Sequence, residues 1–127
     1  RRAQLGRAVL EGVAFALADG QQALTESGTQ IHEVSVIGGG ARSPLWGRIL
    51  AAALQRPLVY REGGEVGPAL GAARLARLSV TGETPEAVCT KPPVSHVAEP
   101  EPALVSLYAD RLEAYRELYT SLQGERS

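Results

Sequence analysis

Hydrophobic residues recur at intervals of three and four along four stretches of this chain, a spacing that is typical of helices with one apolar face. The predicted helices are residues 2–24, 44–55, 69–80 and 103–122. Two short apolar runs, residues 33–37 and 58–60, are predicted to be strands. This alternation indicates an α/β fold, but two strands cannot form a stable sheet for four helices. We therefore expect strands that complete the sheet to lie outside this chain.

The spacing also predicts which side of each helix packs. The apolar face of the first helix consists of Leu5, Val9, Val13, Ala16, Leu17 and Leu24. The same helix contains Gly6, Gly12 and Gly20. Each glycine destabilises a helix by about 1 kcal/mol relative to alanine, so glycines within a helix usually mark a place where another element packs closely. Small residues at Ala69, Ala72, Ala73 and Ala76 predict a close approach of the third helix to its neighbour. The apolar stripe of the last helix consists of Leu104, Tyr108, Leu112, Tyr115, Leu118, Tyr119 and Leu122.

Proline and glycine mark the segments between these elements. Residues 91–102 contain four of the eight prolines and are predicted to be an extended connector. Residues 62–68 form a second glycine-rich loop, and residues 84–88 are expected to make one short turn.

The most informative stretch is residues 34–46, in which an apolar strand leads into three glycines and then a helix. Glycines let backbone N–H groups approach an anion, and the start of a helix offers unpaired donors and a partial positive charge. Ser43 is a favoured N-cap residue, and Pro44 suits the first helical position. The stretch lacks the lysine of a P-loop and the GxGxxG spacing of a dinucleotide fold. It is therefore either a phosphate-binding loop of another kind or a tight turn without a ligand.

Composition narrows the classes of function. The chain has 127 residues, which suits one domain, and its formal net charge is −1. This balance offers neither a basic surface for nucleic acid nor a polybasic stretch for a membrane. The single cysteine, Cys89, excludes an internal disulfide and fits a cytoplasmic location. Two isolated histidines and one cysteine do not make a ligand set, so no metal site is expected.

Four segments together resemble one family. They are residues 9–17, residues 38–46, residues 70–73, and the tyrosines of the last helix at Tyr108, Tyr115 and Tyr119 with Arg116. Their order and spacing are similar to those of the C-terminal nucleotide-binding domain of the FGGY carbohydrate kinases, most closely the xylulokinases. The resemblance extends over residues 2–122, nearly the whole chain.

The resemblance implies an actin-like ATPase fold, in which two ribonuclease H-like domains close on a cleft. Residues 1–127 would be the later part of the second domain, without its first strands. The first domain would carry the catalytic aspartate and most of the sugar site. No catalytic residue is therefore expected in this chain.

The activity that the resemblance implies is transfer of the γ-phosphate of ATP to a sugar hydroxyl, with D-xylulose as the expected sugar. Mg²⁺ would be held with the nucleotide and by the absent domain. Gluconate, ribulose and glycerol stay open as alternative substrates, and a non-catalytic nucleotide-binding or interaction module stays open as an alternative class. Unpaired strand edges and an uncovered apolar face lead us to expect a homodimer or a self-associating fragment.

The implied nucleotide-binding residues are Gly39, Gly40, Ala41, Ser43 and Pro44. The two glycines and the alanine would lie against the phosphates, where larger side chains would block the backbone. A proline cannot donate a side-chain hydrogen bond, so adenine recognition at Pro44 would rest on backbone and shape. Ser43 either caps the helix or contacts the ligand.

Several residues near this loop have two possible roles. Arg42 either reaches a phosphate or is exposed, and Trp46 either flanks the purine or is buried under its helix. Residues 63–67 either form the other wall of the purine pocket or only turn the chain, and Glu65 within them either contacts the ribose or faces solvent. His32 and His96 have no suitable partners nearby in sequence and are expected to have no catalytic role.

Overall fold

A computed structural model describes residues 2–124 as α-helices around a small three-stranded sheet. The helices in that range are α1 (Arg2–Glu26), α2 (Pro44–Leu54), α3 (Gly67–Thr81), α4 (Pro85–Val88) and α5 (Pro102–Gly124). The strands are β1 (Val34–Val36), β2 (Leu58–Arg61) and β3 (Val94–Ala98). The predicted α/β class, the four long helices, both predicted strands and the short turn at α4 are confirmed. No described helix is long and apolar enough to cross a membrane.

The sheet has the order β1-β2-β3, with β1 and β2 parallel and β2 and β3 antiparallel. The prediction that residues 91–102 form only an extended connector was wrong, because β3 lies within them. Their prolines flank β3 instead of interrupting it, and β3 is an edge strand, where neighbouring prolines are tolerated.

Helix α2 is the centre of the core. Seven of its eleven residues are buried, and they pack between α1, α5 and the sheet. The core residues that surround them are Ala14, Phe15, Ala18, Leu58, Tyr60 and Tyr108. Phe15 of α1 meets the ring of Tyr108 edge-on, with centroids 5.7 Å apart. The core therefore joins both long helices to β2 through α2.

The predicted packing face of α1 was wrong. Its large apolar residues are exposed, with Leu5 at 70% and Leu17 at 50%, while Ala14, Phe15 and Ala18 on another side are buried. A side chain on Gly6, Gly12 or Gly20 would meet no heavy atom within 4 Å, so these glycines mark no close packing among residues 2–124. Helix α1 has apolar residues on two sides, and the spacing of its leucines and valines pointed to the side that is exposed.

A buried carboxylate ties α1 to α5. Glu11 accepts hydrogen bonds from the Tyr108 hydroxyl at 3.0 Å, from Arg111 Nη1 at 2.6 Å and from Arg7 Nε at 2.7 Å. Burial alone would raise the pKa of the Glu11 carboxyl, but the hydrogen bonds from these three partners outweigh burial and lower that pKa. Of the predicted apolar stripe of α5, Tyr108 is buried and contacts Glu11. Leu118, Tyr119 and Leu122, at the other end of the stripe, are exposed.

Helix α3 lies at the margin of the structure. None of its residues is buried, and its neighbours are α4 and the second glycine loop. Arg74 donates to the Thr90 carbonyl oxygen at 2.6 Å, and Arg77 pairs with Glu83. The close approach predicted from the small residues of α3 is not made within residues 2–124.

Candidate functional site

Two glycine loops meet at the carboxyl ends of β1 and β2. The first glycine loop, residues 38–42, follows β1, and the second, residues 62–67, follows β2. The backbone N–H of Gly38 donates to the carbonyl oxygen of Gly64 at 2.8 Å. Because the strands are parallel, both loops lie at the same edge of the sheet, and that edge is where open α/β sheets bind ligands.

The first glycine loop makes a single 3₁₀ turn before α2 begins. Gly38 has φ 81°, a conformation that L side chains rarely adopt, and Gly39–Arg42 form the turn. Ser43 Oγ accepts a hydrogen bond from the Trp46 N–H at 3.3 Å, and Pro44 occupies the first helical position. The structure therefore shows Ser43 as the cap of α2, the first of its two predicted roles.

The three successive glycines differ in their surroundings. A Cβ atom placed on Gly39 would meet no heavy atom within 4 Å beyond its chain neighbours. A Cβ on Gly40 would lie 3.2 Å from Trp46 Cδ1 and 3.3 Å from Nε1. Gly38 is therefore needed for its backbone conformation and Gly40 for its contact with Trp46, whereas Gly39 faces open space.

The second glycine loop lies against the first. Gly63 has φ 67° and Gly67 has φ 30°, so both glycines serve the turn into α3. A Cβ on Gly67 would lie 3.5 Å from the backbone nitrogen of Gly38. The start of α3 thus lies beside the first glycine loop.

The remaining predicted residues lie around this junction. Ala41 packs against the edge of the core, and Pro44 is exposed at the start of α2. Arg42 and Glu65 are both exposed and line a small pocket of about 90 Å³ that Ala41 and His96 also line. Within residues 2–124, no three His, Cys, Asp or Glu side chains gather as a group that could hold a metal.

Sequence reasoning missed one supporting contact. The hydroxyl of Tyr60 lies against Gly47 in α2, where any side chain would overlap it. The Tyr60 ring stacks on His96 of β3 with centroids 4.3 Å apart, and burial raises the pKa of the Tyr60 hydroxyl. A glycine inside the apolar helix α2 was the available signal for a bulky neighbour, and His96 has a packing role.

Known proteins with similar sequences identify the family of this chain. The model of the C-terminal domain of the FGGY family of carbohydrate kinases matches residues 1–80. The xylulose kinase of Escherichia coli (strain K12) is 42% identical over 120 residues, which are 94% of this chain and 25% of that protein. The glycerol kinase of Dechloromonas aromatica (strain RCB) is 42% identical over 80 residues, which are 62% of this chain and 16% of that protein.

A solved structure extends the match to the fold. The crystal structure of a xyloylose kinase from Brucella ovis has a TM-score of 0.81 and 43% identity, and covers 98% of this chain and 26% of that one. This chain thus spans about a quarter of the length of the xylulose kinases that it matches. The family model and the shared fold confirm the resemblance predicted from the four segments. The chain belongs to the FGGY family of carbohydrate kinases.

Proposed function

We propose that this chain is the nucleotide-binding part of a longer sugar kinase, which transfers the γ-phosphate of ATP to a sugar hydroxyl. One observation carries the proposal: Gly39 faces open space where two hydrogen-bonded glycine loops meet at the carboxyl ends of parallel strands. A backbone without side chains at such an edge suits a phosphate group.

The residues present fit a nucleotide phosphate. Gly39, Gly40 and Ala41 would lie against it, and α2 would direct the partial positive charge of its N-terminus to the same place. The Ser43 hydroxyl already accepts a hydrogen bond as the cap, and its own hydrogen is free to be donated to the ligand. Pro44 is exposed beside them and would contribute shape to the adenine side.

The rest of the chemistry is assigned to the part of the enzyme outside this chain. Phosphoryl transfer depends on positioning and on neutralisation of charge, and Mg²⁺ supplies much of that neutralisation. Residues 2–124 bring together no metal-binding group, so we propose that Mg²⁺ is carried by the nucleotide and by the other domain. We assign the catalytic carboxylate and most of the sugar site to that part as well, and residues 1–127 alone are expected to phosphorylate no sugar.

The expected sugar is D-xylulose, since the relatives that match nearly all of this chain include xylulose kinases at 42% and 40% identity. Gluconate, ribulose and glycerol are the alternatives. Steady-state assays of the complete protein with ATP and each sugar decide among them. The proposal predicts the highest kcat/KM with D-xylulose, and a higher value with another sugar would reassign the substrate. No phosphorylation of any sugar would favour the non-catalytic module.

Gly39→Val in the complete protein tests the nucleotide assignment. A Cβ at Gly39 would meet no heavy atom within 4 Å beyond its chain neighbours, and φ at Gly39 is outside the left-handed region, so folding is expected to be unchanged. A phosphate at this position would collide with the side chain, and ATP affinity should fall by about tenfold or more. Isothermal titration with ATP and the melting temperature are the two measurements.

Gly124→Val is the matched control, because it makes the same change at another open glycine, at the end of α5. It should leave both ATP affinity and melting temperature unchanged. Normal ATP affinity in Gly39→Val would mean that the loop is only a turn, and the nucleotide assignment would then be wrong.

A further inference from the structure

We infer that Trp46 is a positioning residue, which holds the first glycine loop in the shape that the nucleotide phosphate requires. The inference rests on the proposed function, and it concerns a residue that would not itself touch the reacting atoms. A Cβ placed on Gly40 would lie closer to the Trp46 indole than ordinary van der Waals packing allows, so only a glycine fits there without a shift.

The contact lies at one edge of the indole. A Cβ on Gly40 would be 3.2 Å from Cδ1 and 3.3 Å from Nε1, the two atoms at the outer edge of the five-membered ring. Gly40 therefore lies close to that edge, and a larger residue would require the loop or the indole to shift. Gly39 has no such neighbour, so the indole supports Gly40 and leaves Gly39 open to a ligand.

Trp46 is itself held on two sides. Its backbone N–H donates to the capping hydroxyl of Ser43, which fixes the first turn of α2. Its side chain packs against the buried core and borders an apolar groove of about 690 Å³ together with Leu17 and Leu50. The first glycine loop is thus held, through one ring, against α2 and the buried core.

Three consecutive glycines have large conformational freedom, and ordering them on binding costs affinity. A rigid support that orders the loop beforehand reduces that cost. Removal of the indole should therefore weaken ATP binding, because the loop must then be ordered by the ligand. Sugar binding should be unaffected, since the proposed sugar site lies outside this chain.

The first experiment is Trp46→Leu in the complete protein, with Leu17→Ala as the matched control. Both variants remove apolar bulk from the same groove, but only the first removes the support of Gly40. We expect the KM for ATP to rise about tenfold in Trp46→Leu while the KM for the sugar changes less than about twofold. Leu17→Ala should leave both KM values near those of the parent. Equal rises in both KM values, or an unchanged KM for ATP, would overturn the inference.

A double-mutant cycle of Gly40→Ala and Trp46→Phe tests the contact itself and stays decisive if Trp46→Leu fails to fold. Gly40→Ala places its methyl group against the indole edge, and the smaller Phe ring removes that edge. The loss of ATP affinity in the double variant should therefore be several-fold smaller than the product of the two single losses. Independent losses that multiply would overturn the inference.

Gly39→Val separates this inference from the proposed function. If that variant binds ATP normally, the loop is not a nucleotide site and both proposals fail. If Gly39→Val loses ATP while Trp46→Leu and the cycle show no effect, only the positioning role of Trp46 is wrong.

Discussion

Helices α2 and α3 have similar sequences at their start, but α2 is buried and α3 is not. Each follows a strand and a glycine loop, has a proline in its first turn and is rich in alanine and leucine. Seven residues of α2 are buried and none of α3. The difference lies in their neighbours, because α2 has a helix on either side and the sheet beneath it, whereas α3 has α4 and a loop. Apolar composition thus permits burial, but only a partner surface produces it.

The largest effect should come from truncating one apolar side chain in each helix. Ile49 of α2 is 1% exposed and Leu75 of α3 is 69% exposed. Ile49→Ala should lower the free energy of unfolding by about 2–5 kcal/mol, since it leaves a cavity in the core. Leu75→Ala should change it by less than about 0.5 kcal/mol. Denaturant unfolding of the complete protein measures both, and equal losses would show that α3 packs against a part of the protein outside residues 2–124.

The same glycine-to-alanine change should have opposite signs in the two helices. Gly47→Ala places a methyl group on the Tyr60 hydroxyl and should destabilise by about 1–3 kcal/mol. Gly71→Ala has open space around it and should stabilise by up to about 1 kcal/mol, as in an exposed helix. Thermal melts compare the two variants. Tyr60→Phe should recover much of the loss in Gly47→Ala, and absence of recovery would mean that the overlap is not the cause.

The Glu11 carboxylate holds α1 beside α5 through Tyr108 and Arg111. Burial opposes ionisation of Glu11, but Arg7, Tyr108 and Arg111 outweigh it and hold the pKa of its carboxyl below the ordinary value of 4.5. Its contribution to stability is therefore present above that value and is lost as the pH falls through the lowered pKa. Glu11→Gln should lower the free energy of unfolding at pH 7 by about 1–3 kcal/mol.

The pH dependence provides the control for that variant. Denaturant unfolding between pH 7 and pH 3 should show a steeper loss of stability in the parent than in Glu11→Gln. Parallel curves would mean that Glu11 does not titrate as the network requires.

The smallest effect is expected from the large apolar residues of α1 that are exposed. Leu5, Val9 and Leu17 are among them, and within the described residues β1 pairs on one side only. Residues 1–127 prepared alone should therefore associate, with a mass above that of the monomer in light scattering. Leu17→Gln should weaken the association. A monomer that melts cooperatively across micromolar dilutions would contradict the expected self-association.

The residues of the candidate site could be predicted from sequence, but the contacts that hold them in place could not. Three glycines followed by Ser43 and Pro44 define a loop and a helix start through local backbone preferences, and the structure places both as expected. The second glycine loop was expected either to form the other wall of the purine pocket or only to turn the chain, and the Gly38–Gly64 hydrogen bond shows that it lies beside the first. The support of Gly40 by Trp46 could not be predicted, because the distance between an indole edge and a loop depends on how α2 is placed against the sheet.

Local sequence was enough to predict the helices and the first two strands, since periodicity, capping residues and glycine positions act over a few neighbouring residues. The family was predicted from the resemblance of four segments. Tertiary contacts set which side of α1 packs, where β3 pairs and whether α3 is buried. Those outcomes depend on which surfaces meet across residues distant in sequence. Apolar side chains on two sides of one helix carry no local sign of which side has a partner.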